Sequence, residues 1–139
     1  MIFLKKSVYN HFMNNLLGKA FKLHSCGQLE EAERLYKEII DTTPDNSQAL
    51  NLLGIIKLSQ NNLDEAEKLI SKAISIKKDA YFYENLARVY EEKADYKTEI
   101  KVLEEALLDA QCGFEIYFLL GLAYKNTLLF YALHQKLQI

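Results

Sequence analysis

Tryptophan is absent from this 139-residue chain, proline occurs once, glycine five times and cysteine twice. A sandwich or barrel needs a turn signal every ten residues or so, so the shortage of proline and glycine excludes most all-β folds and points to helices. Cys26 and Cys112 lie far apart, without the close C-x-x-C pairing of metal or redox sites, which favours small apolar fillers over a disulfide. Seventeen Lys and Arg stand against nineteen Asp and Glu, giving a net charge of -2 and a pI near 5.9, and no basic block occurs. That balance argues against nucleic acid as a partner. The chain is about one domain long, and half of its residues are apolar, enough to build a core.

Long hydrophobic runs are scarce. Met1 to Leu4 is apolar but meets Lys5 and Lys6 at once, too short for a signal peptide, and the expected compartment is a reducing cytoplasm. Ile116 to Leu133 has the length of a membrane span. It carries Lys125, Asn126 and Thr127 at its centre, and a central Lys costs about 2.5 to 3.5 kcal/mol on insertion scales, so the expectation is no membrane partner.

What the chain does contain is an internal repeat. A small residue recurs at Ala20, Gly54, Ala87 and Gly121, in steps of 34, 33 and 34. A second series, Leu29, Leu63 and Tyr96, enters a charged segment after a turn, and a third, Ile39, Ala73 and Ala106, lies near that segment's end. Within each period apolar residues fall three and four apart, as on a helix face. Leu50, Leu53, Gly54 and Leu58 mark one helix, Asn61 and Asn62 break it, and Leu63, Ala66, Leu69, Ile70, Ala73 and Ile74 mark the next. Each unit therefore reads as a helical hairpin. Gly27 and Asn61 suit left-handed helix ends, and Pro44 closes the first unit by lacking a donor.

These segments resemble tetratricopeptide repeats. Gly27-Gln28-Leu29-Glu30-Glu31-Ala32-Glu33-Arg34-Leu35-Tyr36, continuing to Pro44-Asp45-Asn46, is similar to that family's second helix and closing turn. Asn51-Leu52-Leu53-Gly54 and Asn85-Leu86-Ala87-Arg88-Val89-Tyr90 resemble its first helix, and Leu119-Leu120-Gly121-Leu122-Ala123-Tyr124 opens a further copy. The resemblance covers roughly residues 13 to 127 and implies an all-α, right-handed superhelix of antiparallel helical hairpins, about three repeats plus a divergent terminal helix. The expected organisation is a helical extension over 1–12, repeats near 13–46, 47–79 and 80–113, and a degenerate fourth unit over 114–139. Two departures stand out. Lys57 occupies a position usually aromatic or small, and Glu99 one usually alanine, so the third hairpin is expected to pack loosely with Glu99 tilting the helices apart or reaching for water. After Thr127 the usual Gly or Asn turn is missing, which predicts one long terminal helix.

Nothing here argues for catalysis, a cofactor or a metal site. His11, His24 and His134 are scattered, no Ser or Cys sits in a nucleophile motif, and no glycine loop can cradle a phosphate. Stacked hairpins curve so that the first helix of each unit lines a concave wall. By this phase the wall takes Asn14, Leu17, Gly18, Phe21 and His24, then Gln48, Asn51, Leu52, Ile55 and Leu58. Tyr81, Glu84, Asn85, Arg88 and Glu91 come next, then Phe118, Leu119 and Leu122. A phase error of one residue would place these side chains in the core instead. The first half is apolar and the third unit polar, which suits a peptide or amphipathic helix. Burying five apolar side chains at about 2 kcal/mol each, less an association cost of at least about 4 kcal/mol, gives affinity near the micromolar range. The resemblance also raises the carboxylate clamp by which some members hold acidic C-termini. Leu17, Phe21, Leu52 and Tyr81 replace most of its basic and amide positions, leaving Asn85 and Arg88 as hydrogen-bonding contacts.

The leading expectation is thus a protein-interaction adaptor or scaffold. Two others remain: self-association through the uncapped Leu128, Leu129, Phe130 and Leu133, and a targeting arm or fragment of a repeat-containing glycosyltransferase or sulfotransferase. RNA reading is disfavoured by the acidic pI and the lack of a basic stripe.

Overall fold

A computed structural model describes the backbone of residues 2–137 and the side chains of 5–137. Met1, Gln138 and Ile139, which the expected domain limits include, lie outside the described residues. Among the described residues there are seven helices and no strand: α1 (Ile2–Ser25), α2 (Leu29–Thr42), α3 (Ser47–Ser59), α4 (Leu63–Ile76), α5 (Ala80–Glu92), α6 (Tyr96–Asp109) and α7 (Phe114–Leu137). Each packs against the next, and α3 meets α5 as α5 meets α7, so the first helices of successive hairpins stand side by side. This is the all-α superhelix of antiparallel hairpins. The expected extension over 1–12 is continuous with the first helix of the first hairpin, since α1 runs unbroken from Ile2 to Ser25.

The turns inside the three hairpins are built alike. In each, a residue with positive φ sits seven places after the small residue of the repeat: Gly27 (φ 79), Asn61 (φ 59) and Ala94 (φ 55). Each donates its N–H three residues back, and the next residue donates five back, as in Gln28 to Leu23, Asn62 to Lys57 and Asp95 to Tyr90, all at 2.9 Å. This pair of bonds satisfies carbonyls that a helix end leaves orphaned. Glycine adopts the left-handed conformation without steric penalty, whereas alanine at position 94 pays about 1 kcal/mol for it. Asn46, Asp79 and Asp95 cap the starts of α3, α5 and α6 by accepting from backbone N–H groups.

The second helices fill the core through the residues that recur with the period. Ala32, Tyr36, Ile39, Ala66, Ile70, Ala73, Leu103 and Ala106 are fully buried. A Cβ on Gly54 would meet Ile70 Cγ1 at 2.5 Å, so only glycine lets α4 sit this close to α3.

Between hairpins runs a repeated polar seam. Glu33 on α2 accepts from Lys57 (2.7 Å) on α3 and from Gln60 (3.1 Å) just after it, and also pairs with Lys37. Glu67 on α4, one period later, accepts from Tyr90 (2.7 Å) on α5 and from Lys93 just after it. Hydrogen bonds from Lys37 and then Lys57 hold the Glu33 carboxyl down at about 2. Lys57, unexpected at its position by family pattern, is thereby buried as the partner of a carboxylate.

Glu99 corrects an expectation. It neither reaches water nor finds a cation. It is 3% exposed, its Oε2 has no partner, and burial, followed by the charge of Glu91, pushes its carboxyl up to about 7. Neighbouring Leu103 and Ala106 remain fully buried, so α6 keeps its contact with the core around the carboxyl.

The fourth unit is a single helix, as the missing turn predicts. Leu128 stands seven residues after Gly121, where Gly27, Asn61 and Ala94 bend the chain, and α7 continues through it. The helix is long and apolar enough to cross a membrane by length and composition, and most of its surface is exposed.

Candidate functional site

The concave side of α1, α3 and α5 holds a cavity of about 600 Å³, lined by Asn14, Leu17, Gly18, Phe21, Gln48, Asn51, Leu52, Asp79, Tyr81 and Phe82. Its position comes from the packing order: first helices stand side by side, and residues one helical turn apart on each project into the same hollow. Phe21 from α1 and Tyr81 from α5 are about half exposed at its rim, while Leu17 and Leu52 are half-buried in its wall. Asp79 is the one ionisable carboxylate of the lining, and Lys77 pairs with it at 3.0 Å. No Lys or Arg belongs to the lining, so the hollow offers an apolar floor, amide hydrogen-bonding groups from Asn14 and Gln48, and no anchor for a free carboxylate, while Asn51 is buried in the wall.

Five of the ten residues expected to contact a ligand, Leu17, Phe21, Asn51, Leu52 and Tyr81, are brought together here. The other five sit elsewhere. Asn85 lies inside the wall at 1% exposure, donating from Nδ2 to Asn51 Oδ1 at 3.1 Å, so it braces α5 against α3 instead of projecting as a ligand contact. Its own Oδ1 is buried without a partner. His24 is half-buried behind the rim. Its Nδ1 lies 3.4 Å from the Tyr36 hydroxyl, the two rings meet edge to face, and burial lowers its pKa. Ile55 is half-buried outside the lining, Leu58 packs on the core, and Arg88 is exposed beyond the hollow. Burial, and then the neighbouring Tyr81, pushes the Tyr36 hydroxyl up to about 12, which places a neutral phenol just beneath the cavity wall.

Two lining residues escape the sequence pattern. Asp79 and Phe82 belong to the start of α5, where the helix cap and first turn close one end of the hollow. An Asp directly before a helical run is a capping signal that could have placed both. Of the four residues expected to drive self-association, all are more than half exposed, but they do not share a face. Phe130 contacts Tyr96 of α6 edge to face at 6.4 Å, and Leu133 lies on that side of the helix, whereas Leu128 points away from the body. Among the described residues no group of three or more His, Cys, Asp or Glu is placed to hold a metal ion.

Comparisons with known proteins agree with this architecture. Two family models, each described as tetratricopeptide repeat, match residues 23–89 and 80–108, together more than half of the chain. No curated protein sequence matches it. Among solved structures, the Thermobaculum terrenum O-GlcNAc transferase is 28% identical with a TM-score of 0.65, over 68% of this chain. This chain spans only 18% of that enzyme's length. The first repeat domain of Spaghetti (RPAP3), bound to an HSP90 peptide, is 18% identical with a TM-score of 0.73, covering 81% of this chain and 90% of that one. The Yersinia enterocolitica type III secretion chaperone SycD, in complex with a peptide of the translocator YopD, is 16% identical with a TM-score of 0.75, covering 84% and 95%. With its 34-residue hairpins matched by family models and its superhelix by solved repeat domains, the chain belongs to the tetratricopeptide repeat family.

Proposed function

We propose that this chain is a protein-interaction module that takes a short apolar-anchored segment, an extended peptide or one face of a helix, into the hollow between α1, α3 and α5. The observation that carries the reading is the half-exposed pair Phe21 and Tyr81 at the rim of a cavity of about 600 Å³. Aromatic rings left this exposed on a monomer gain most when a partner covers them. Cavity size and lining suit a few aliphatic or aromatic anchors, with Asn14 and Gln48 bonding the partner's backbone. Peptide complexes of two structural neighbours support the same use of this fold. The absence of any cation in the lining sets the expected ligand apart from an acidic C-terminal tail.

Selection of a random peptide library on the immobilised chain tests this. Apolar-anchored peptides with dissociation constants near micromolar are expected, weakened at least tenfold by Phe21→Asp while far-UV circular dichroism is unchanged. Equal binding by the variant removes the assignment of this hollow. A second reading, the repeat arm of a larger glycosyltransferase, draws on the 28% identity to the O-GlcNAc transferase. It is compatible with the same groove, which would then present substrates to a catalytic domain.

A further inference from the structure

Where the second helix of each hairpin crosses the first, α2 has Ala32, α4 has Ala66 and α6 has Glu99, at steps of 34 and 33. The alanines fit a close crossing and bring no polar side-chain atom to it. Glu99 brings a carboxyl to the same place, buried, with its Oε2 unpartnered. No cation answers it among the described residues. Of the charged groups on and just after α5, Glu91 bears on Glu99 and repels it, Arg88 acts on Glu84, Glu92 is exposed, and Lys93 is held by Asp64 and Glu67. α7, the other helix against α6, turns its Tyr124 hydroxyl to Glu104, and its Lys125 is exposed. Within α6, Lys97 and Lys101 act on Asp95. A carboxyl so placed is tolerated as the neutral acid and resisted as the anion. Burial, and then Glu91, accordingly push it up to about 7.

We propose that Glu99 is a pH-sensitive latch on the third hairpin: as the neutral acid it leaves α6 docked on α5 with α7 beside it, and as the anion it drives α6 and α7 off together. The buried carboxylate gains full hydration when α6 parts from α5. In a repeat array each unit is held by its neighbours, so one end can open without the rest. Two further features direct the opening here. The turn into α6 holds Ala94 at positive φ, which already costs it stability. The carboxylate clasps that join the first three hairpins have no counterpart beyond α6, where Ile100 takes the place of Glu33 and Glu67. Opening bares Leu103, Ala106 and Ile116, all fully buried when the latch is closed, so apolar surface appears as pH rises.

Hydrogen exchange of the full chain, resolved by helix and corrected for intrinsic rates, tests this at pH 5 and pH 8. The carboxyl is held above its ordinary 4.5 in the closed form, so rising pH favours the open one. Protection of α6 and α7 should fall about fivefold or more between the two pH values, while α2 and α4 keep theirs. Glu99→Gln removes the charge at nearly the same shape, and Glu99→Ala restores the residue of the other two hairpins. Each should abolish the fall. Glu91→Gln should keep it and move its midpoint to lower pH. The same fall in Glu99→Gln and Glu99→Ala, a fall shared equally by all helices, or none in the native chain, as when the side chain alone swings out to water, overturns the proposal.

Discussion

The second and fourth units begin with nearly the same first helix and end differently. Around Gly54 the chain turns at Asn61, α4 returns, and Ile70 closes over the glycine. Around Gly121 the turn position holds Leu128, the helix runs on, and the glycine stays open. One residue with access to positive φ therefore separates a closed hairpin from an open ledge. The third unit shows that the residue need not be glycine or asparagine, because Ala94 makes the same bend once flanking hydrogen bonds and a packed second helix hold it there.

The comparison is broken most severely at the two glycines. Gly54→Val should destabilise the fold by about 3 kcal/mol in chemical denaturation, because Ile70 has no room to yield. Gly121→Ala should instead stabilise by up to about 1 kcal/mol, as alanine is the better helix former and meets nothing there. Equal effects at both sites would erase the distinction between covered and bare units.

A smaller effect is expected at the polar seam that the first three units share. Lys57→Ala should cost about 2 kcal/mol near neutral pH, less than breaking a fully buried pair, because Lys37 and Gln60 still bond Glu33. The Glu33 carboxyl is depressed to about 2, so its contribution is full above its ordinary value of 4.5 and is lost as pH falls from there toward 2. The variant should therefore lose less stability on acidification over that window than the native chain, as acid titration followed by circular dichroism would show.

Glu99 gives the smallest expected change and the opposite sign. Its carboxyl is raised to about 7, so the penalty for ionising it is absent below about 4.5, grows as pH rises to about 7, and is complete above. Glu99→Gln should stabilise by about 1 kcal/mol at pH 8 and leave stability at pH 4 unchanged. A pH-independent difference in denaturation midpoints would show that the carboxyl is not held protonated by its surroundings.

Much of this architecture is legible in the sequence because the period is carried by residues that the fold itself constrains. Gly54, Ala32 and Ala66 are small because helices cross there, and Gly27 and Asn61 stand where positive φ is cheapest. Helix phase alone puts Leu17, Phe21, Leu52 and Tyr81 on the concave wall, and all four line the cavity. Ala94 is not legible as a turn, since alanine signals helix and its strain is imposed by neighbours. Helix phase points Asn85 outward because it does not say how far one hairpin rotates against the next, and that rotation turns Asn85 onto Asn51; it points His24 outward because it does not say how α1 lies on α2 within the first hairpin, where His24 meets Tyr36. The side of α7 that faces the body is obscured as well. A run apolar on all sides, from Leu128 to Leu133, hides which side the body occupies until Ile116 and Ala123 are seen buried.

The seam at Glu33 and Glu67 has a consequence for shape. Greasy surfaces hold helices together but let them slide, whereas a carboxylate gripped by two donors tolerates little sideways travel. Glu33 clasps Lys57 and Gln60, and Glu67 clasps Tyr90 and Lys93, so the angular step between the first three hairpins is ratcheted at two points. At the third junction Ile100 stands where the next clasp would be, and Tyr124 reaches instead to Glu104. The pitch of the spiral is thus set by paired clasps between the first three hairpins and by a single hydrogen bond, from Tyr124 to Glu104, where α7 joins them.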